Sequence, residues 1–300
     1  MNKSWHYGLV VLFSVIWSSA FIAGRFAIAD YGPLTTLTIR FVISAIILLP
    51  FCLPQTTRLF ERRAIINGLW LGVLNNAIYL GLTFSALKFI SPALVVVIVS
   101  CAPFLTMMFT MSLGLERIGL RQSSGILCGF FGVVIISGWR SEMHASLTGI
   151  ILAVLGTLAF SIGTVLFRSN TQGLRARDLN FWQSIAGVVL LLPISAVLES
   201  APERLSISSI LAVLWLAIVV TMGGMALWFW LIRTDGAAIA SSYHLMNPFF
   251  GLLLSHFLLN TALKAEDFAG AGLIALGLLL TMRKTERGNS NGKTTSPAKR

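Results

Sequence analysis

The chain has 300 residues, of which 56% are apolar and only 11% charged, with a formal net charge of +11. So small a charged share, against roughly a quarter in an ordinary soluble domain, excludes a water-soluble globular fold and points to an integral membrane protein. The positive charge then reads as a topology signal rather than a nucleic-acid footprint, because cytoplasmic loops collect Lys and Arg.

A spanning helix needs roughly 20 mostly apolar residues. Ten stretches come close to that length: 8–28, 34–54, 65–86, 92–113, 123–138, 148–167, 180–198, 209–232, 238–259 and 268–282, the fifth and tenth being short. All 11 acidic residues fall in loops or at the ends of these stretches. The expected fold is an all-α membrane protein of ten transmembrane helices. A short cytoplasmic N-terminus, 1–7, precedes them, and a polar, basic, disordered tail, 284–300, follows them.

In the first stretch Trp17 and Phe21 stand four apart on one face, with Ser14 and Ser18 on the adjoining one. Trp17 lies midway along the span, whereas Trp in membrane proteins favours the interface. Trp17, Ser18 and Phe21 are therefore candidates to line a cavity. The second stretch holds Arg40, six residues from its outer end, or about 9 Å along a helix. A charge inside a span is costly and is by default a functional hypothesis, although a long side chain at that depth can snorkel to the headgroups. A gating or structural role is the first reading of Arg40, and solute contact the second.

The third stretch carries Asn75, Asn76, Tyr79 and Thr83. Three-then-four spacing puts Asn76, Tyr79 and Thr83 on one face, with Asn75 beside it. Amides at mid-depth need partners that lipid cannot give, so they either hold helices together or line a solute site. In the fourth stretch Pro103 follows Ser100 and Cys101; it removes a backbone hydrogen bond, kinks the helix and frees a carbonyl beside Ser100. Gly125, Gly129 and Gly132 give the fifth a close-packing face.

The pattern then returns. A shift of 145 lays Lys88 on Arg233, Pro103-Phe104 on Pro248-Phe249, Leu113 on Leu258, Gly125 on Gly270 and Gly132 on Gly277. A shift of 143 lays Ser18 on Ser161, Arg25 on Arg168 and Leu48-Leu49-Pro50 on Leu191-Leu192-Pro193. The chain thus reads as two homologous halves, 8–140 and 148–283. Five spans per half is an odd number, so the second half must enter the membrane in the opposite sense. Such inverted repeats recur in secondary transporters, with the solute site near the midplane between the halves. With 16 basic residues on one side, 5 on the other and Arg40 in a span, both termini are expected in the cytoplasm.

The second half offers Ser161 and Thr164 in its first span and Gln183, the neutral counterpart of Arg40, in its second. Trp228 and Trp230 read as residues near the inner interface. Tyr243 and His244 lie four and three residues before Asn247, which places all three on one face at mid-depth, just ahead of Pro248. Pro103 and Pro248 are read as gating or structural residues alongside Arg40. The spans contain no paired acids and no HExxH-like metal spacing, so neither an intramembrane enzyme nor a metal or other cofactor is expected. The three cysteines sit in spans and suggest no disulfide framework.

Several short motifs combine with this plan: WSSAF at 17–21, P-x6-R from Pro33 to Arg40, SALKFISPALVVV from Ser85, and Pro103 with Glu116 and Gly125 downstream, repeated around Pro248. Over roughly residues 8–283 the chain resembles the drug/metabolite transporter superfamily, in particular its ten-helix EamA-type bacterial permeases. The resemblance implies a pseudo-symmetric bundle with a central cavity that exports amino acids, drugs or other metabolites across the inner membrane. One departure is Asn260-Thr261, where the Glu116 pattern would place an acid; it speaks against symmetric charged pairs at both gates. The expected function is a secondary transporter, an exporter of small organic metabolites working by alternating access, with a channel or a non-transporting membrane subunit as the alternative. Its partners are a small-molecule solute and the bilayer, with no nucleic acid and with the oligomeric state open, a monomer included. The lack of span carboxylates, with the asparagines, Tyr243, His244 and Trp17, suits a neutral or zwitterionic solute such as an amino acid or its derivative.

Overall fold

A computed structural model of the chain describes residues 3–86, 88–90, 92–137, 146–200, 206–259 and 262–282. The tail 284–300 and the side chain of Phe21 lie outside the described residues. Every regular element among the described residues is helical: α1 Lys3–Ala27, α2 Pro33–Cys52 with short turns continuing to Leu59, α3 Arg62–Ala86, α4 92–112, α5 Leu120–Ile136, α6 Leu147–Asn170, α7 Ala176–Leu198, α8 Ile207–Asp235, α9 237–259 and α10 Ala265–Met282. Eight of these, all but α5 and α9, are long and apolar enough to cross a membrane. Helix α5 has 17 residues, and α9 is interrupted.

The interruption of α9 is a 3-10 turn at Tyr243–Met246, between α-helical Ala237–Ser242 and Asn247–Leu259. Pro248 has no N–H to offer the carbonyl of His244, and the Asn247 N–H takes that carbonyl instead, tightening the turn. Helix α4 breaks at the matching place, leaving its helical course at Ser100-Cys101 and resuming at Ala102 with Pro103 in the new first turn. Helices α3 and α8 share a second irregularity that spacing alone does not reveal. Each contains nine π-helical residues, Gly72–Leu80 and Leu216–Gly224.

Neighbours repeat as well. Helix α1 packs on α8 and α9, and α6 packs on α3 and α4; α7 packs on α3, and α2 on α8. Helices α2 and α7, α4 and α9, and α5 and α10 pack on each other. Replacing each helix of the first five by the one five places on returns the same pairings. The α5–α10 seam uses the glycines expected of it: a Cβ added at Gly132 would lie 2.5 Å from the Gly270 carbonyl oxygen, and one at Gly125 2.6 Å from that of Gly277. Such close backbone approach is what holds helices together where lipid supplies no hydrophobic drive.

The loop carboxylates cap helices. Glu116, between α4 and α5, accepts from the N–H groups of Ala237 (2.6 Å) and Ala238 (3.1 Å) at the start of α9 and lies 3.3 Å from Arg168 near the end of α6. Orphan N–H groups and the helix dipole both favour an anion there. Gly236 precedes them at φ 92°, where a Cβ would stand 2.6 Å from the Glu116 carboxylate. At the other end of the bundle Glu199 accepts from the N–H groups of Leu34 (3.0 Å) and Thr35 (2.7 Å), and Asp30 from that of Ser206 (2.7 Å), capping α2 and α8.

Candidate solute-binding site

The broken turn of α9 carries the His244 imidazole into a box of aromatic rings. Ring centroids lie 4.7 Å away for Trp228, 4.9 Å for Trp17, and 5.2 Å each for Phe13 and Phe160. Trp228 stacks between Phe13 (5.5 Å) and Phe160 (5.8 Å), and Tyr79 continues the wall 4.8 Å from Phe160. Helices α1 and α3 of the first half and α6, α8 and α9 of the second all contribute. His244 Nδ1 lies 3.0 Å from Asn247 Nδ2. The amide nitrogen can only donate, so Nδ1 accepts and a neutral ring carries its proton on Nε2. That Nε2, and the Asn247 Oδ1, are buried without a protein partner. A donor and an acceptor left unpaired among apolar rings are the convergent polar groups that orient a small ligand.

Several expected site residues fall elsewhere. Trp228, read as an interface residue, is 1% exposed at the centre of the core. Tyr243 turns away from the box: its hydroxyl donates to Asp235 Oδ2 (2.8 Å), an oxygen also 3.1 Å from His6 Nε2. Residues three apart eclipse in a 3-10 turn, so Asn247 lines up with His244 while Tyr243 falls a third of a circle away. In α3 the wide π turn brings residues four apart into line in place of the three-then-four pattern. Asn75, whose amide a Cβ at Gly163 would strike, Tyr79 and Thr83 face α6, while Asn76 faces α7 and exchanges hydrogen bonds with Gln183 (2.9 Å to its carbonyl, 3.1 Å from its amide).

The expected hydroxyls donate to backbone carbonyls. Ser18 bonds the Ser14 carbonyl (2.6 Å) and that of Asn247 (3.1 Å); Ser100 bonds Val96 (2.8 Å) and Thr164 bonds Phe160 (2.8 Å). Ser161 reaches the Ala102 carbonyl (3.3 Å), beside the α4 break. Ser18 thus ties α1 to α9 and Ser161 ties α6 to α4, whereas the Ser100 and Thr164 bonds stay within their own helices.

Arg40 does not snorkel. It is 6% exposed, and its Nε donates to Thr221 Oγ1 (2.6 Å) in the π-helical stretch of α8, with the guanidinium 5.4 Å from the Phe41 ring centroid. The Thr221 hydroxyl itself donates to the Leu216 carbonyl (2.9 Å) in the five-residue step of a π turn. Asn180 donates to the Thr221 carbonyl (2.8 Å) from α7. Sequence reasoning missed Phe13, Phe160 and Trp228 as box residues. The available signal was the spacing of Phe13 and Trp17, four apart in the other direction from Phe21.

A chain with this bundle is a polytopic membrane protein, and its fold matches a solved crystal structure with a TM-score of 0.79 at 18% identity, covering 94% of this chain and 97% of the other. The EamA-like transporter family matches it twice, over residues 4–138 and 147–283, and the chain belongs to that family. Relatives include the "Uncharacterized inner membrane transporter YedA" of Escherichia coli K12, 25% identical over 91% of this chain and 89% of the relative. Another is the "Probable amino-acid metabolite efflux pump" of the same strain, 24% identical over 91% of this chain and 93% of the relative. The "Uncharacterized transporter YoaV" of Bacillus subtilis is 23% identical over 90% and 94%.

Proposed function

We propose that this transporter-family protein is a secondary carrier of small organic metabolites, working as an exporter by alternating access across the inner membrane. The observation that carries the reading is the aromatic box, built by helices of both halves around a histidine and an asparagine with unpaired polar atoms. A site shared by two halves changes shape when one half rocks against the other, and the breaks of α4 and α9 supply places to bend. Ten transmembrane helices in two inverted five-helix repeats, with both termini cytoplasmic, complete the proposal. The inversion is supported by the loop contacts. His6, near the start of α1, and Arg168, near the end of α6, reach opposite flanks of one α8–α9 turn through Asp235 and Glu116. Helix α1 therefore begins at the end of the bundle where its counterpart α6 finishes.

The name of the amino-acid metabolite relative suggests the first solutes to try. Purified protein in liposomes preloaded with unlabelled amino acids and their derivatives is expected to take up labelled solute by saturable counterflow, and Trp17→Ala, which removes a wall of the box, is expected to weaken it several-fold. Flux that stays linear with concentration and shows no counterflow would make the protein a pore. A panel that gives no flux at all overturns the carrier reading.

A further inference from the structure

Two polar bridges join α7 to α3 and α2 to α8, and they are near copies. On one side Gln183 bonds Asn76 in the π-helical stretch of α3; on the other Arg40, which aligns with Gln183 at the shift of 143, bonds Thr221 in the π-helical stretch of α8. The first bridge is neutral and the second carries a full positive charge. A hydrogen bond to a neutral oxygen on the facing helix does not need that charge, since Gln183 makes one to the Asn76 amide oxygen across the pseudo-symmetry.

Among the described residues Arg40 has no ion pair and only the one hydrogen bond, from Nε, so neither Nη group has a protein acceptor. A buried charge without a partner is strongly unfavourable, and the two Nη groups of a guanidinium form a fork that matches a carboxylate. Asn180, bonded to the same Thr221, keeps its Oδ1 unpaired, and so does the Gln183 Oε1 one turn further along α7. These oxygens can accept from an ammonium group. Tyr79, three residues on from Asn76 in the same π-helical stretch of α3, carries the wall of the aromatic box with its ring 4.8 Å from that of Phe160.

We propose that Arg40 anchors the carboxylate of a monoanionic or zwitterionic solute whose apolar part occupies the aromatic box. The proposal rests on the carrier reading and names its substrate class. A single guanidinium balances a single negative charge, which favours a carboxylate over a doubly charged phosphate. Arg63, Arg168, Arg175 and Arg233 are engaged instead by the Asn170 carbonyl, Glu116, Asp178 and the Leu174 carbonyl near the far end of the bundle.

The test uses matched pairs of acid and amide in a chloride-free buffer: phenylacetate and phenylacetamide, isovalerate and isovaleramide, and phenylalanine and phenylalaninamide. Binding to the purified full chain is read from tryptophan fluorescence. For at least one pair the acid is expected to bind about tenfold or more tightly than its amide, the margin of a charge-assisted hydrogen bond. Arg40→Lys is expected to keep part of that preference, and Arg40→Gln to erase it. Equal affinity for acid and amide in the unsubstituted protein overturns the proposal without recourse to any variant. Failure of every acid to bind, or a preference that survives Arg40→Gln, also overturns it. Saturable counterflow of the neutral amides with no acid preference would remove the anchor and leave the carrier standing. An acid preference without counterflow of any panel member would do the reverse.

Discussion

His244 occupies a position where helices of both halves surround polar atoms with aromatic rings. Its imidazole accepts from Asn247 and is walled by Phe13, Trp17, Phe160 and Trp228, and no ion pair reaches it among the described residues. An imidazolium formed there would have no carboxylate to balance it, so the residue serves better as a neutral hydrogen-bonding wall than as a proton carrier. His244→Gln keeps the hydrogen-bonding capacity and cannot titrate. Flux of the same order is expected from this variant in proteoliposomes, with no accumulation driven by an imposed pH difference in either protein. If the unsubstituted protein accumulates solute against its gradient and the glutamine variant does not, His244 is the coupling group.

At the scale of the helix, irregular stretches do the positioning. The 3-10 turn of α9 aligns Asn247 with His244 and leaves Tyr243 on another face, and the π turns of α3 and α8 present Asn76 and Thr221 to α7 and α2. Helix α9 is held at its start by Glu116, which joins its first N–H groups to Arg168 of α6 and so connects one half to two helices of the other. Glu116→Ala is expected to lower stability by about 1–2 kcal/mol, the usual loss on removing a cap and its favourable charge. Thermal unfolding in detergent measures this, and an unchanged midpoint would reduce the contact to a surface ion pair. The same acid is the feature that the second half lacks at Asn260-Thr261. The two ends of the bundle are consequently closed by different contacts, Glu116 on α9 at one and Glu199 on α2 at the other.

For the whole molecule, the proposed orientation follows from the 16 to 5 division of basic residues. Arg62→Cys is expected to be labelled by an impermeant thiol reagent only after the inner membrane is opened, and Lys264→Cys without opening it. The reversed pattern would invert the molecule. Labelling of both positions from one side would remove the alternation of spans on which the inverted repeat depends.

Composition alone made this a membrane protein, because a chain with so few charges has no means of covering itself in water. The repeat was equally legible, since glycines and prolines that serve backbone geometry recur at fixed spacing whatever surrounds them: Gly132 and Gly277 do meet the opposite helix, and Pro103 and Pro248 do stand at breaks. Membership of the EamA-like family rests on the same pattern. Side-chain direction was not legible. A 3.6-residue period assumed through Asn75–Thr83 and Tyr243–Asn247 assigns faces that the π and 3-10 turns reassign, and those turns form only when neighbouring helices take up the displaced backbone groups. Arg40 is the clearest case. A lone arginine six residues from a helix end suits both the headgroups and the interior. Only the packing of α2 against α8, which brings Thr221 within 2.6 Å of its Nε, decided for the interior.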